Sequence, residues 1–167
     1  MRRLVPKEIH APVGMYSHGF SVPRGELIFV AGQVGVDRDG QLVGLGDVGA
    51  QLRQTLVNLQ AVLKAGGASL RDVVKLTTYL TRAEDIPAFM AARRELYPSY
   101  FPDDVYPANT LVVVDRLVRP ELLIEVEAIA ARSPRRAPSA RRPRQGPAAR
   151  ARAARRPARR ARASRRR

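Results

Sequence analysis

The chain has 167 residues, 30 Lys and Arg against 15 Asp and Glu, a formal charge of +15, two histidines and no cysteine. The lack of cysteine excludes disulfides, a thiolate nucleophile and zinc–thiolate sites. His10 and His18 do not stand in a metal-ligand spacing and read as surface or loop residues. The charge is unevenly distributed. Residues 132–167 hold sixteen arginines and no acidic residue, and without them fourteen basic residues face fifteen acidic ones, a formal charge of −1 for residues 1–131. The chain therefore reads as two objects: a near-neutral domain over 1–131, large enough for one core, and a basic tail over 132–167.

The domain elements follow in chain order. Met15 to Val22 reads as a short strand. Leu27 to Ala31 is a run of strand formers continued by Gln33 to Val36. Asp39-Gly40 marks a tight turn, and Gln41 to Leu45 reads as the returning strand. Asp47 to Ala65 is the clearest helix. Asp47 is a suitable N-cap, Leu52, Leu56, Leu59 and Leu63 fall on one face, and Gln51, Arg53, Gln54, Asn58 and Lys64 fall off it. Gly66-Gly67 provides the stop. Asp72 to Thr81 alternates as a strand, with Val74, Leu76, Thr78 and Leu80 on one face and Val73, Lys75, Thr77, Tyr79 and Thr81 on the other. Ile86 to about Tyr97 reads as a second helix capped by Asp85, with Ile86, Phe89, Met90 and Leu96 inward and Pro87 in its first turn. Pro98 to Pro107 reads as a loop. Asn109 to Leu117 and Leu122 to Ala130 complete the strands, linked through Arg119-Pro120.

This order predicts an α+β domain with one mixed sheet and two helices on one face. The other face, with Lys75, Thr77, Tyr79 and Glu125, is too apolar to be left wet and too polar for a plain core. It reads as a subunit interface in a closed homo-oligomer. Alternation along Leu123 to Ala130 places Glu125 and Glu127 on one face, about 7 Å apart by strand rise. Two neighbouring carboxylates among apolar residues have raised pKa values suited to proton transfer near neutral pH. The alternative is that both reach solvent or pair with Lys75 or an arginine.

The tail is built from Arg, Ala, Pro, Ser, Gly and Gln only, with five prolines and no apolar face. Such a segment cannot offset its ordering entropy, so disorder is expected. It suits non-specific, salt-sensitive contact with nucleic acid but lacks aromatics for base stacking. All six residue types have GC-rich codons, so translation past a lost stop codon would give the same composition. Met1 to Pro12 has no apolar h-region, and no run approaches a membrane span. A cytoplasmic protein without membrane contact is expected.

Several segments occur in a telling order: Gly14-x-Tyr16-x-x-Gly19, Gly32-Gln33, the Gln51 to Gly66 helix, Asp72-Val-Val-Lys75-Leu-Thr77-Thr78, Pro107-Ala108, and Ile124-Glu125-Val126-Glu127-Ala128-Ile129-Ala130. Together they make the chain resemble the RidA/YjgF family over about residues 5–132. The resemblance implies a chorismate-mutase-like fold, a barrel-like homotrimer, and ligand sites in clefts between subunits. It implies hydrolysis of enamines and imines such as 2-aminoacrylate to keto acids and ammonia, with no metal or organic cofactor. Glu125 matches the family's water-activating glutamate, Tyr16 its early tyrosine and Gly32 its glycine.

One match fails. In Pro107-Ala108-Asn109-Thr110, Asn109 stands where the family places a carboxylate-clamping arginine. Leu111 stands where a cysteine is frequent, and Met90 or Ala91 where an asparagine is. The resemblance thus implies an arginine-lacking branch with Glu125 and Tyr16 as catalytic residues and Asn109, Gly32, Leu111 and Thr110 as substrate-binding residues. Hydrolytic deamination of an altered small-molecule substrate leads. A non-catalytic metabolite-binding trimer and an RNA-directed protein of the endoribonuclease or translation-inhibitor type are the alternatives.

Overall fold

The computed structural model describes residues 1–132; the expectations for the remainder of the basic tail lie outside the described residues. Arg132, the first arginine of the basic run, is the last residue of a strand and pairs with Glu26 across the ladder.

The elements are β1 (Arg2–Leu4), β2 (Gly19–Ser21), β3 (Glu26–Val34), α1 (Val48–Ala65), β4 (Val73–Leu80), α2 (Ile86–Tyr100), β5 (Ala108–Val113) and β6 (Ile124–Arg132). β1 and β2 form a small antiparallel pair, and the main sheet has the order β3-β6-β4-β5. β4 and β5 run parallel, and the other pairs of the main sheet are antiparallel. α1 lies over β3 and β6 and packs beside α2. The fold is the expected one: two helices on a mixed sheet.

The core follows from strand alternation. Leu76 and Leu80 of β4 and Ile124, Val126, Ala128 and Ala130 of β6 face the leucine row of α1. Asp47 caps α1 by accepting from the N–H groups of Gly49 (2.9 Å) and Ala50 (3.0 Å). The helix stops at Gly66-Gly67, where Gly67 takes φ 71°. That positive φ disfavours a residue with Cβ.

Several boundaries differ from the sequence reading. Met15 to Val22 contributes only the three residues of β2, because its partner β1 is equally short. Gln41 to Leu45 does not return as a strand: a single bridge joins Val36 and Leu42, and the Asp37 carboxylate organises the turn by accepting from the N–H groups of Asp39 and Gln41. Asp85 does not cap α2, because Arg82 takes its carboxylate at 2.8 Å. α2 continues through Pro98 to Tyr100, so the proline lies in its last turn rather than in the loop. β5 ends at Val113, four residues short of the expected strand.

Gln51 is the largest departure on α1. Placed off the leucine face by periodicity, it is fully buried. Its Nε2 donates to the carbonyls of Gly44 (3.1 Å) and Glu121 (2.9 Å), and its Oε1 accepts from the Leu123 N–H at 2.8 Å. One amide thus joins the loop before α1 to the start of β6. Truncating it strands three backbone groups. Gln51→Ala is expected to cost about 2–4 kcal/mol, against at most about 0.5 kcal/mol for Val57→Ala on the exposed side of the same helix. Guanidinium denaturation midpoints check this.

Candidate active site

The alternation that turns Val126 inward turns Glu125 and Glu127 outward. Across the outer face, Glu125 stands opposite Tyr79 of β4 and Val34 of β3, and Glu127 opposite Thr77. Tyr79 donates from its hydroxyl to Glu127 Oε2 at 3.1 Å. This bond, foremost, raises the Tyr79 pKa. Lys75 donates to the Thr110 hydroxyl rather than to either carboxylate, and burial lowers its pKa.

A β-bulge places Gly32 beside Glu125. Val30 pairs with Ala128 and Gln33 with Val126, so β3 uses one residue more than β6 over that interval. Bulges re-aim the strand locally, and here the extra residue falls in Ala31-Gly32-Gln33. The Glu125 carboxylate lies over the Gly32 backbone. A Cβ built on Gly32 would sit 1.8 Å from Glu125 Oε1 and 2.5 Å from its carboxyl carbon. A Cβ there would displace the flexible Glu125 side chain, so glycine is what lets the carboxylate rest on the strand backbone. Among the described residues Glu125 forms no ion pair. Its pKa is raised, first by desolvation and then by Glu127. An open depression beside this pair is lined by Phe29, Ala31, Lys75, Thr77, Glu127 and Ile129.

The remaining candidates sit elsewhere. β5 pairs Asn109 with Leu76 and Leu111 with Thr78, so Asn109 and Leu111 face the helix side, whereas Thr110 faces outward. Asn109 Oδ1 accepts from the buried Thr78 hydroxyl at 3.1 Å. Leu111 packs against the core. Tyr16 is half-buried and meets His18 edge-on, with ring centroids 5.8 Å apart. Its loop is pinned just ahead of Asn109: the Ser17 N–H donates to the Pro107 carbonyl at 3.2 Å and the Ser17 hydroxyl to the Tyr106 carbonyl at 2.6 Å.

Two half-sites result. Gly32 and Glu125 form one on the outer face. Tyr16, Asn109 and Leu111 form the other at the edge strand on the helix side. β4 lies between their strands, roughly 10 Å across at normal strand spacing. One protomer does not bring all six candidates together.

The sequence reading did not single out Ser17, Thr78 and Arg93, which bond the segments carrying the second group of candidates. Arg93 carried a legible signal: it lies four residues from both Phe89 and Tyr97, hence on one helix face with two aromatics. No group of three or more His, Asp or Glu residues suited to a metal ion occurs among the described residues. No described helix is long and apolar enough to cross a membrane.

The family model described as endoribonuclease L-PSP matches residues 7–132. The chain belongs to this family, the RidA/YjgF family. It is 35% identical over 124 residues to the 2-iminobutanoate/2-iminopropanoate deaminase of Salmonella typhimurium, covering 73% of this chain and 91% of that protein. A Rid-family protein, YyfB from Yersinia pestis, superposes with a TM-score of 0.69 at 34% identity, covering 78% of this chain and 97% of that one. Escherichia coli TdcF with bound serine superposes with a TM-score of 0.58 at 27% identity, covering 80% and 100%.

The raised Glu125 pKa has a stability consequence. The folded state holds the proton more tightly than the unfolded chain, so stability falls as pH rises from ordinary carboxyl values through the folded pKa, then levels. Glu125→Gln is expected to remove that decline and to be the more stable protein above neutrality. Denaturation midpoints of both proteins across pH 4–8 check the sign.

Proposed function

We propose that the chain is a RidA-type hydrolase that deaminates a small enamine or imine at a cleft between subunits of a homotrimer. The observation carrying this reading is the Glu125 carboxylate, held over Gly32 without an ion pair and with a raised pKa. The Salmonella relative's name supplies the reaction class, and the serine bound to TdcF suits a cleft of amino-acid size.

Glu125 takes a proton from water as the oxygen attacks the imine carbon. Glu125 passes that proton to nitrogen, giving a neutral carbinolamine; the carbinolamine hydroxyl then gives its proton, by way of Glu125, to the same nitrogen, the C–N bond breaks, and ammonia and a keto compound leave. Tyr16, the Gly32 backbone and Asn109 orient the substrate, with Thr110 and Leu111 bordering it.

The two half-sites support the intersubunit placement. A cleft in which the β5 edge of one protomer faced the outer sheet of the next would put Tyr16 and Asn109 opposite Gly32 and Glu125. Phe29 is 70% exposed, and Leu27 and Val112 are also exposed on that outer face. A neighbouring subunit would cover them. The substrate is altered relative to an arginine-clamped one. Asn109 offers a neutral donor and acceptor in place of a bidentate cation, a difference of about 1.5–3 kcal/mol in a carboxylate contact.

The test follows release of pyruvate from freshly generated 2-aminoacrylate and of pyruvamide from its neutral amide, with the oligomer measured by light scattering. A trimer is expected, and Glu125→Gln is expected to lose a hundredfold or more of the rate. A rate unchanged in Glu125→Gln overturns the mechanism, and a monomer at micromolar concentration overturns the intersubunit cleft. Ligand binding without turnover would identify a metabolite-binding trimer. RNA binding that survives deletion of residues 133–167 would place an RNA-directed function in the core.

A further inference from the structure

Arg93 is 3% exposed. Its guanidinium lies 4.5 Å from the Tyr97 ring centroid and 5.3 Å from that of Phe89. Its Nη2 donates to the Met15 carbonyl at 2.5 Å, and Nη1 meets the Met90 sulfur at 3.7 Å. Its Nε is buried with no hydrogen-bond partner, and no described carboxylate pairs with the charge.

Such a residue needs a reason. A buried guanidinium costs far more than an apolar side chain of equal volume unless its charge and donors are matched. Two ring faces, one carbonyl and a thioether match it only in part. The shortfall is one anion.

The position of the charge indicates where that anion would lie. Met15 precedes Tyr16, and Ser17 binds the Pro107 carbonyl two residues before Asn109. Arg93 therefore stands behind the loop that forms the Tyr16 and Asn109 half-site. Lys75, which faces away from the helices, donates to Thr110 on the opposite face of the sheet.

We propose that Arg93 supplies the positive charge that Asn109 does not, so that the cleft prefers a carboxylate-bearing ligand although its edge strand presents a neutral amide. This rests on the cleft reading given above. Arg93 acts through the Tyr16 loop and through its field, and is a positioning and specificity-determining residue. The consequence is a separation of roles. Asn109 orients the ligand through hydrogen bonds, and Arg93 sets the sign of charge that the site accepts.

The experiment measures binding of pyruvate and of its neutral counterpart pyruvamide to the full chain by titration calorimetry. Wild type, Arg93→Gln and Arg93→Lys are compared, each checked for native circular dichroism and for oligomeric state. Gln keeps a donor for the Met15 carbonyl and removes the charge. Lys keeps the charge and loses the planar fork. Wild type is expected to favour pyruvate over pyruvamide by about tenfold or more, since a nearby unit charge in a partly desolvated site has that order of effect. Arg93→Gln is expected to lose the preference while still binding pyruvamide, and Arg93→Lys to restore most of it.

A preference that persists undiminished in Arg93→Gln overturns the proposal, as does a wild type that binds both probes equally. In those two cases the cleft itself stands. Binding of neither probe by wild type removes the cleft reading and this proposal together. If Arg93→Gln does not fold, Arg93→Lys decides: a fall in pyruvamide binding equal to the fall in pyruvate binding marks a purely structural residue and overturns the proposal.

Discussion

β6 lies between β3 and β4, and its alternation governs the molecule. Ile124, Val126, Ala128 and Ala130 are buried under the helices. The residues between them must face away, and two of those are glutamates. A register slip of one residue would drive both carboxylates into the leucine face of α1 and put four apolar side chains outside. The burial that stabilises the sheet therefore fixes the position of the acid. Gln51 reinforces the same register, since its amide holds the Leu123 N–H just before the strand begins.

The bulge in β3 adds the second condition. Between Val30 and Gln33 it sets one extra residue of β3 against β6. Gly32 stands in that interval, and the Glu125 carboxylate lies over its bare backbone. A desolvated carboxylate with no cation paired to it among the described residues is unfavourable for stability and holds a proton more readily than a solvated one. The charge of Glu127 deepens the effect, and the Tyr79 hydroxyl is engaged by Glu127 rather than by Glu125.

What the sequence disclosed divides along the same physical line. Strand alternation in Leu123 to Ala130 and Asp72 to Thr81, and the leucine spacing of α1, report burial directly, and these elements stood where periodicity placed them. The outward direction of both glutamates was legible for the same reason. Gln51 was not, because periodicity treats a polar side chain as solvent-facing, and its amide is buried by bonds to groups remote in sequence; for Arg93 the flanking aromatics on its own helix were legible, and the remote Met15 carbonyl was not. β1 was equally hidden: three residues with an exposed burial pattern carry no pattern to read. Asn109 was expected in a strand and stands in one. Which side of the sheet it faced depended on the β4–β5 register, which alternation within one strand cannot supply.

That register fits an amide at position 109. Asn109 faces the helix side, where its amide oxygen accepts from the buried Thr78 hydroxyl. A guanidinium has no acceptor and would leave that hydroxyl without this partner. The environment behind the strand is thus suited to an amide at position 109, and a change of Asn109 to arginine would have to repack it. Arg93 avoids the difficulty. It approaches from α2, where two aromatic faces accept a cation without requiring a hydrogen bond from it. An edge strand that carries an amide and a helix that carries the charge are mutually compatible. A chain with arginine at both positions would set two like charges close to one loop, a repulsion that a partly desolvated setting does little to screen.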